Sequence, residues 1–208
     1  MLRRSQYLTG RFGYPLGEFF KVSAIGDIAW NAYEESPDAT DALAESNAAN
    51  GTDYSFVVPP DDRVYSGTLQ FQFNRMGYSV TASGSASRRS EWNAWGLYDN
   101  QTATFVEPSF DSAQQSFQTW SLVAFKEWYL PKFQKLKAEL AYLDGGNLDR
   151  FSQYSFARFG AESLAGYAGT GLRFDAGYLA RTGWAFNILN VVRFDVSAEF
   201  ARIKDSLK

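Results

Sequence analysis

Tyr65-Ser66-Gly67-Thr68-Leu69-Gln70-Phe71-Gln72-Phe73 is followed, after Asn74-Arg75-Met76-Gly77, by Tyr78-Ser79-Val80-Thr81-Ala82-Ser83-Gly84-Ser85-Ala86. In the first run the apolar residues and glycine hold the odd positions; in the second they hold the even ones. Strict alternation is the period of an extended strand, whose successive side chains point to opposite faces, whereas a helix would scatter these positions around its circumference. The change of parity at Arg75-Met76-Gly77 marks a short turn between two antiparallel strands.

The same pattern extends outward in both directions. Phe20, Val22, Ala24, Gly26, Ile28, Trp30 and Ala32 alternate with Lys21, Ser23, Asp27 and Asn31. Residues 117–130 are apolar on both faces, with Trp120, Leu122, Ala124 and Trp128 opposing Val123, Phe125 and Tyr129. Leu136, Ala138, Leu140 and Tyr142 oppose Lys135, Lys137 and Glu139; Leu172, Phe174, Ala176 and Tyr178 oppose Arg173 and Asp175. Val192, Phe194, Val196, Ala198 and Phe200 oppose Arg193, Asp195, Ser197 and Glu199. About eight strands result, several reaching the roughly 9–11 residues that a tilted strand needs to cross a bilayer.

The connections are sorted by length. Short joins are expected near Tyr14–Gly17, Arg75–Gly77, Leu130–Lys132 and Ala180–Gly183; long polar loops are expected at 34–62, 88–116 and 144–170. Short turns on one side and long loops on the other are the habit of outer-membrane barrels. The expected fold is therefore all-β: an antiparallel up-and-down transmembrane β-barrel, apolar outside and polar within.

Composition narrows the chemistry. The 208 residues include no cysteine and no histidine, which removes disulfides, the usual zinc sites and a Ser-His-Asp triad. The net charge of -3 has no basic concentration of the kind nucleic acid attracts. No run reaches the roughly 18 apolar residues of a spanning helix. Aromatics reach 17%; Trp30, Tyr33, Trp92, Trp95, Trp120, Trp128 and Tyr129 are expected mainly as girdles at the membrane interfaces, with a sugar-stacking platform at Trp92 and Trp95 as the alternative. The paired acids Glu34-Glu35 and Asp61-Asp62 read as solvated loop, and Asp144-Gly145-Gly146-Asn147-Leu148-Asp149 lacks the spacing and closing glutamate of a calcium loop. No metal, cofactor or enzymatic activity is expected. The start lacks the apolar core of a secretion signal, and the end, Ile203-Lys204-Asp205-Ser206-Leu207-Lys208, is a polar run; the expectation is a portion of a longer barrel, residues 1–208 forming one partial barrel domain.

Within the third long loop, Phe159-Gly160-Ala161-Glu162-Ser163-Leu164-Ala165-Gly166-Tyr167 resembles the inward-folded loop of the BamA-like superfamily, in which Gly-Gly-x-x-Ser-Leu-Arg-Gly-Tyr/Phe is typical. Gly160, Ser163, Leu164, Gly166 and Tyr167 match in order and spacing. Ala165 stands where the family has the arginine that reaches an acidic wall residue, and the family's aromatic-x-Asp wall motif has no clear counterpart, since Phe194-Asp195 lacks the spacer. The resemblance implies a sixteen-stranded barrel in the cell outer membrane, of which this chain covers roughly strands six to thirteen. It implies a non-enzymatic role in inserting or translocating proteins, with unfolded outer-membrane or secreted proteins, periplasmic accessory proteins and outer-membrane lipid as partners, and no nucleic acid. Arg173, Asp175, Arg193, Asp195 and Glu199 are the expected lumen-facing charges. Their plain reading is a self-satisfying network in a wet lumen; the sharper one has Asp195 or Glu199 touching the inserted loop. A passive outer-membrane channel or adhesin barrel, and a soluble β-rich carbohydrate-binding protein, are the rival readings.

Overall fold

Alternation becomes strand in the computed structural model, which describes residues 2–108, 111–132, 134–156, 159–160, 171–188 and 192–205. In chain order the elements are β1 (Leu2–Pro15), β2 (Phe20–Glu34), α1 (Pro37–Asn50), β3 (Tyr54–Val57), β4 (Asp62–Arg75), β5 (Tyr78–Arg89), β6 (Gly96–Asp99) and β7 (Thr104–Pro108). There follow β8 (Ser116–Leu130), β9 (Gln134–Gly146), β10 (Tyr154–Ser155), β11 (Arg173–Phe174), β12 (Ala176–Ile188) and β13 (Val192–Lys204). Eight of these strands, twelve to fifteen residues long, form one sheet in the order β1-β2-β4-β5-β8-β9-β12-β13. Each long strand pairs with the next long strand along the chain, which is an up-and-down antiparallel arrangement. Among the described residues the sheet is not closed: β1 and β13 are its edges.

The chain divides into two compact units, one of Met1–Gly10, Gly26–Gly67 and Ser87–Phe117, the other of Arg11–Ile25, Thr68–Ala86 and Gln118–Lys208. In the first, the expected loops carry structure of their own. Loop 34–62 holds α1 and β3, and loop 88–116 holds β6 and β7 with a short 3-10 turn at Ser112–Gln115. Strand periodicity overlooks α1 because its helical signal is local: Pro37 opens it, five alanines fill it, and Gly51 closes it at φ 64 in the left-handed region. β3, β6 and β7 make a small antiparallel sheet. Trp92 and Trp95 are buried at 6% and 4% exposure, packed edge to face with centroids 6.2 Å apart. They, and Tyr33 at 6%, are core side chains of this unit, which corrects their expected place in an interface girdle and leaves no open sugar platform at Trp92 and Trp95.

In the second unit the register displays two chemically opposite faces. Leu122 pairs with Tyr142, Tyr142 with Tyr178, Leu140 with Ala180, Ala180 with Phe200, and Trp184 with Val196, so one face is apolar across four strands. The other face carries Phe125, Glu139, Arg181 and Glu199 at one level and Glu127, Lys137, Gly183 and Ser197 at the next. The apolar face is the bare one: Leu140 is 63% exposed and Phe200 60%, while Glu139, one residue from Leu140, is 3% exposed.

Two expectations fail here. β12 runs unbroken through Ala180–Gly183, where a short turn was expected, because Thr182 and Gly183 pair on both sides, with Ala138 and Lys137 of β9 and with Ala198 and Ser197 of β13. The connection to β13 falls at 189–191, outside the described residues. The alternation of Leu172, Phe174, Ala176 and Tyr178 also does not lie on one face: a bend at Asp175 breaks it, leaving Phe174 wholly buried and Tyr178 43% exposed.

Candidate functional site

On the polar face of the second unit, Arg181 of β12 stands between two carboxylates from its neighbouring strands. Its Nη1 donates to Glu139 Oε2 at 2.8 Å, and its Nε donates to Glu199 Oε1 at 2.7 Å. Cross-strand register builds this row, since Arg181 is directly opposite Glu139 on β9 and Glu199 on β13. The side chains of Arg181 and Glu139 are 8% and 2% exposed, and that of Glu199 is 22% exposed. A charged row this far from water persists only when each member is hydrogen-bonded to another.

The described part of the β9–β12 connection meets this row at Gly160. Gly160, at φ 88, lies so close to the wall that a Cβ there would overlap Glu139 Oε1 and Leu179 Cδ2. The left-handed backbone calls for glycine here, and a Cβ would in addition have to displace the ends of the Glu139 and Leu179 side chains. The preceding Phe159 is fully buried in a cluster with Ala141, Leu143, Phe174 and Leu179, edged by Phe156 and Tyr154. The Phe159 and Phe174 rings are 4.8 Å apart, and Phe156 meets Phe174 at 85°. Burying each such ring contributes roughly 1.5–3 kcal/mol, so the aromatic cluster fastens this part of the loop to the wall.

Polar contacts fasten it further. Tyr154 Oη lies 2.9 Å from the carbonyls of both Trp120 and Asp144, its single proton serving one at a time, and burial pushes its phenol up to about 12. Gln153 Nε2 donates to Asp175 Oδ1 at 2.9 Å and Asp205 Oδ1 at 3.0 Å, and Arg173 Nη1 donates to the Gln153 carbonyl at 3.3 Å.

The residues singled out from the sequence thus fall into four groups. Gly160 lies against the wall, while Ser163, Leu164, Gly166 and Tyr167, with Ala165, lie outside the described residues. Arg173 and Asp175 anchor the loop base, with Asp175 5% exposed. Arg193 and Asp195 form an open pair at 3.0 Å, 62% and 64% exposed. Glu199 joins the row at its more exposed end. The wall residue that the described part of the loop meets is Glu139, and Glu199 is linked to it through Arg181. Sequence reading missed Glu139 and Arg181 as partners, because alternation gives a residue's face and not its neighbour on the next strand.

A second buried network belongs to the first unit. Asn31 Nδ2 donates to Asp62 Oδ1 at 2.7 Å, Arg89 Nη1 donates to Asp62 Oδ2 at 3.0 Å, and Arg3 Nη2 donates to Asn31 Oδ1 at 2.8 Å. The Arg89 guanidinium lies over the Trp92 ring at 4.4 Å and the Phe117 ring at 5.3 Å. Among the described residues no group of three or more metal-ligating side chains is assembled. No family model, curated protein or solved structure matches this chain.

Proposed function

We propose that this chain is the wall of a transmembrane β-barrel in a bacterial-type outer membrane, its bare apolar face turned to lipid and its charged face to the lumen. The carrying observation is the inversion across the second unit: Leu140, Tyr142, Tyr178, Trp184 and Phe200 exposed, with Glu139 and Arg181 covered. Soluble proteins rarely leave so continuous an apolar surface bare, whereas a lipid-facing sheet requires it. Unpaired strand edges are not tolerated in hydrocarbon, so in this reading β1 and β13 pair with further strands in the membrane, as in a sixteen-stranded barrel.

The role proposed for that barrel is protein insertion or translocation, with the β9–β12 loop held inside it against the wall. Supporting this is the position of Gly160, the first matching residue of the loop motif, on Glu139. Ala165 brings no cation to the wall; within the wall itself Arg181 pairs with both Glu139 and Glu199. The described part of the loop then docks by close packing and aromatic burial. A passive channel shares the barrel but places no demand on the loop's seat.

The test takes the full-length protein in its native membrane and compares assembly of other outer-membrane proteins in wild type and Gly160→Val. Loss of assembly with the barrel still inserted supports the transport reading. Unchanged assembly with unchanged insertion contradicts it and favours a channel, which single-channel conductance then reports.

A further inference from the structure

In the first unit, α1 lies over β3 and β6 with a cleft of about 360 Å³ between them. Its walls are Ala39, Leu43 and Ala44 from the helix and Tyr54, Phe56 and Leu97 from the strands. The cleft exists because the helix offers small side chains to aromatic ones. It stays open because α1 is anchored by polar contacts at its end: Asn47 Nδ2 donates to the Tyr54 carbonyl at 2.8 Å, and Asn47 Oδ1 accepts from Thr52 Oγ1 at 3.0 Å and Tyr54 N at 3.2 Å. None of the helix's residues is buried, and among the described residues the cleft is open. The volume is in the range of small-molecule sites, which are mostly apolar with a few polar groups converging on them.

The charge around the cleft selects among possible occupants. Between Lys21 and Arg63 the sequence has nine acidic residues and no basic one. Arg4 pairs with Glu34 and Arg89 with Asp62, while α1 carries Asp38, Asp41 and Glu45 with no base of its own. Glu35, whose Oε2 accepts from Thr40 Oγ1 at 3.2 Å, lines the cleft at its rim. An apolar space under a negative potential suits a molecule with an apolar body and a positive head.

We propose that this cleft binds a small organic cation, an aromatic or short alkyl ammonium compound, with its apolar body between Leu43, Tyr54 and Phe56 and its ammonium at Glu35. The site is independent of the membrane reading. The probes are 2-phenylethylammonium and its neutral counterpart 2-phenylethanol, titrated calorimetrically into the whole chain in a zwitterionic detergent. The ammonium compound is expected to bind up to about fivefold more tightly, the upper end of what an exposed ion pair provides, with the difference shrinking as salt is raised. Glu35→Gln should bring the two probes level, and Ala39→Trp, which fills the cleft, should abolish binding of both. The folded state of each variant is read from an unchanged melting profile. Equal affinity for both probes, no binding by either, or full binding by a folded Ala39→Trp overturns the proposal.

Discussion

Arg89 and Arg181 are both buried guanidinium groups on long strands, yet their surroundings differ in kind. Arg89 meets the carboxylate of Asp62 and the faces of Trp92 and Phe117; the Arg89 and Asp62 side chains are 2% and 0% exposed. Its charge meets a buried carboxylate and is covered by rings, an arrangement that holds a core together. Arg181 has two carboxylates, one of them 22% exposed, and a loop glycine pressed against the other. The row is in touch with a connecting segment at Gly160. The first site is complete within its own unit; the second is arranged to hold a loop.

The largest effect is expected where the seal is tightest. Arg89→Met leaves Asp62 buried without its cation and should cost about 3–5 kcal/mol, read from urea unfolding followed by tryptophan fluorescence. Arg181→Met should fall near the lower end of that range, about 3 kcal/mol, since Glu199 can turn to water. The comparison sharpens in the paired variants, because exchanging a whole buried ion pair for apolar residues is often close to neutral. Arg89→Met with Asp62→Leu should recover both stability and function, whereas Arg181→Met with Glu139→Leu should recover stability and leave protein assembly impaired. Equal recovery of function in both would erase the distinction drawn between the two sites.

Gly160→Val comes next, at about 1–3 kcal/mol for forcing a branched residue into a left-handed backbone, with added crowding at Glu139 and Leu179. Tyr154 gives a pH signature. Its phenol is raised from 10.0 to about 12 in the fold, chiefly by burial, so above pH 10 the unfolded chain loses the proton first. Stability should thus be at its full value below pH 10 and decline as pH rises from 10 towards 12, a slope that Tyr154→Phe removes. The smallest effect belongs to Glu199→Gln, under about 1 kcal/mol for a partly exposed ion-pair partner.

Much of the fold was legible because alternation is a property of neighbours in sequence. The strand pair at 65–86 and the polar face of β13 followed from parity alone. The turn wrongly expected at Ala180–Gly183 shows the limit: Gly183 reads as a break until its partners Lys137 and Ser197 are known. Trp92 and Trp95 resembled surface aromatics because no local pattern shows that Trp92 lies under Arg89 and packs against Trp95. The site divides in the same way. Gly160 was found from its motif and Glu199 from its face, but the row that joins Glu199 to Glu139 exists only through the register of three strands.

A membrane wall requires the apolar face of the second unit to meet lipid. The chain has no cysteine, so single cysteines at 139–143 can each carry a nitroxide label in the full-length protein reconstituted into phospholipid vesicles. Accessibility to oxygen, which concentrates in hydrocarbon, and to a water-soluble nickel chelate then reports the environment of each position. The account predicts a two-residue period, with Leu140 and Tyr142 open to oxygen and shielded from nickel, and Ala141 and Leu143 shielded from both. Leu140 and Tyr142 open to nickel would place the apolar face in water and contradict the membrane wall.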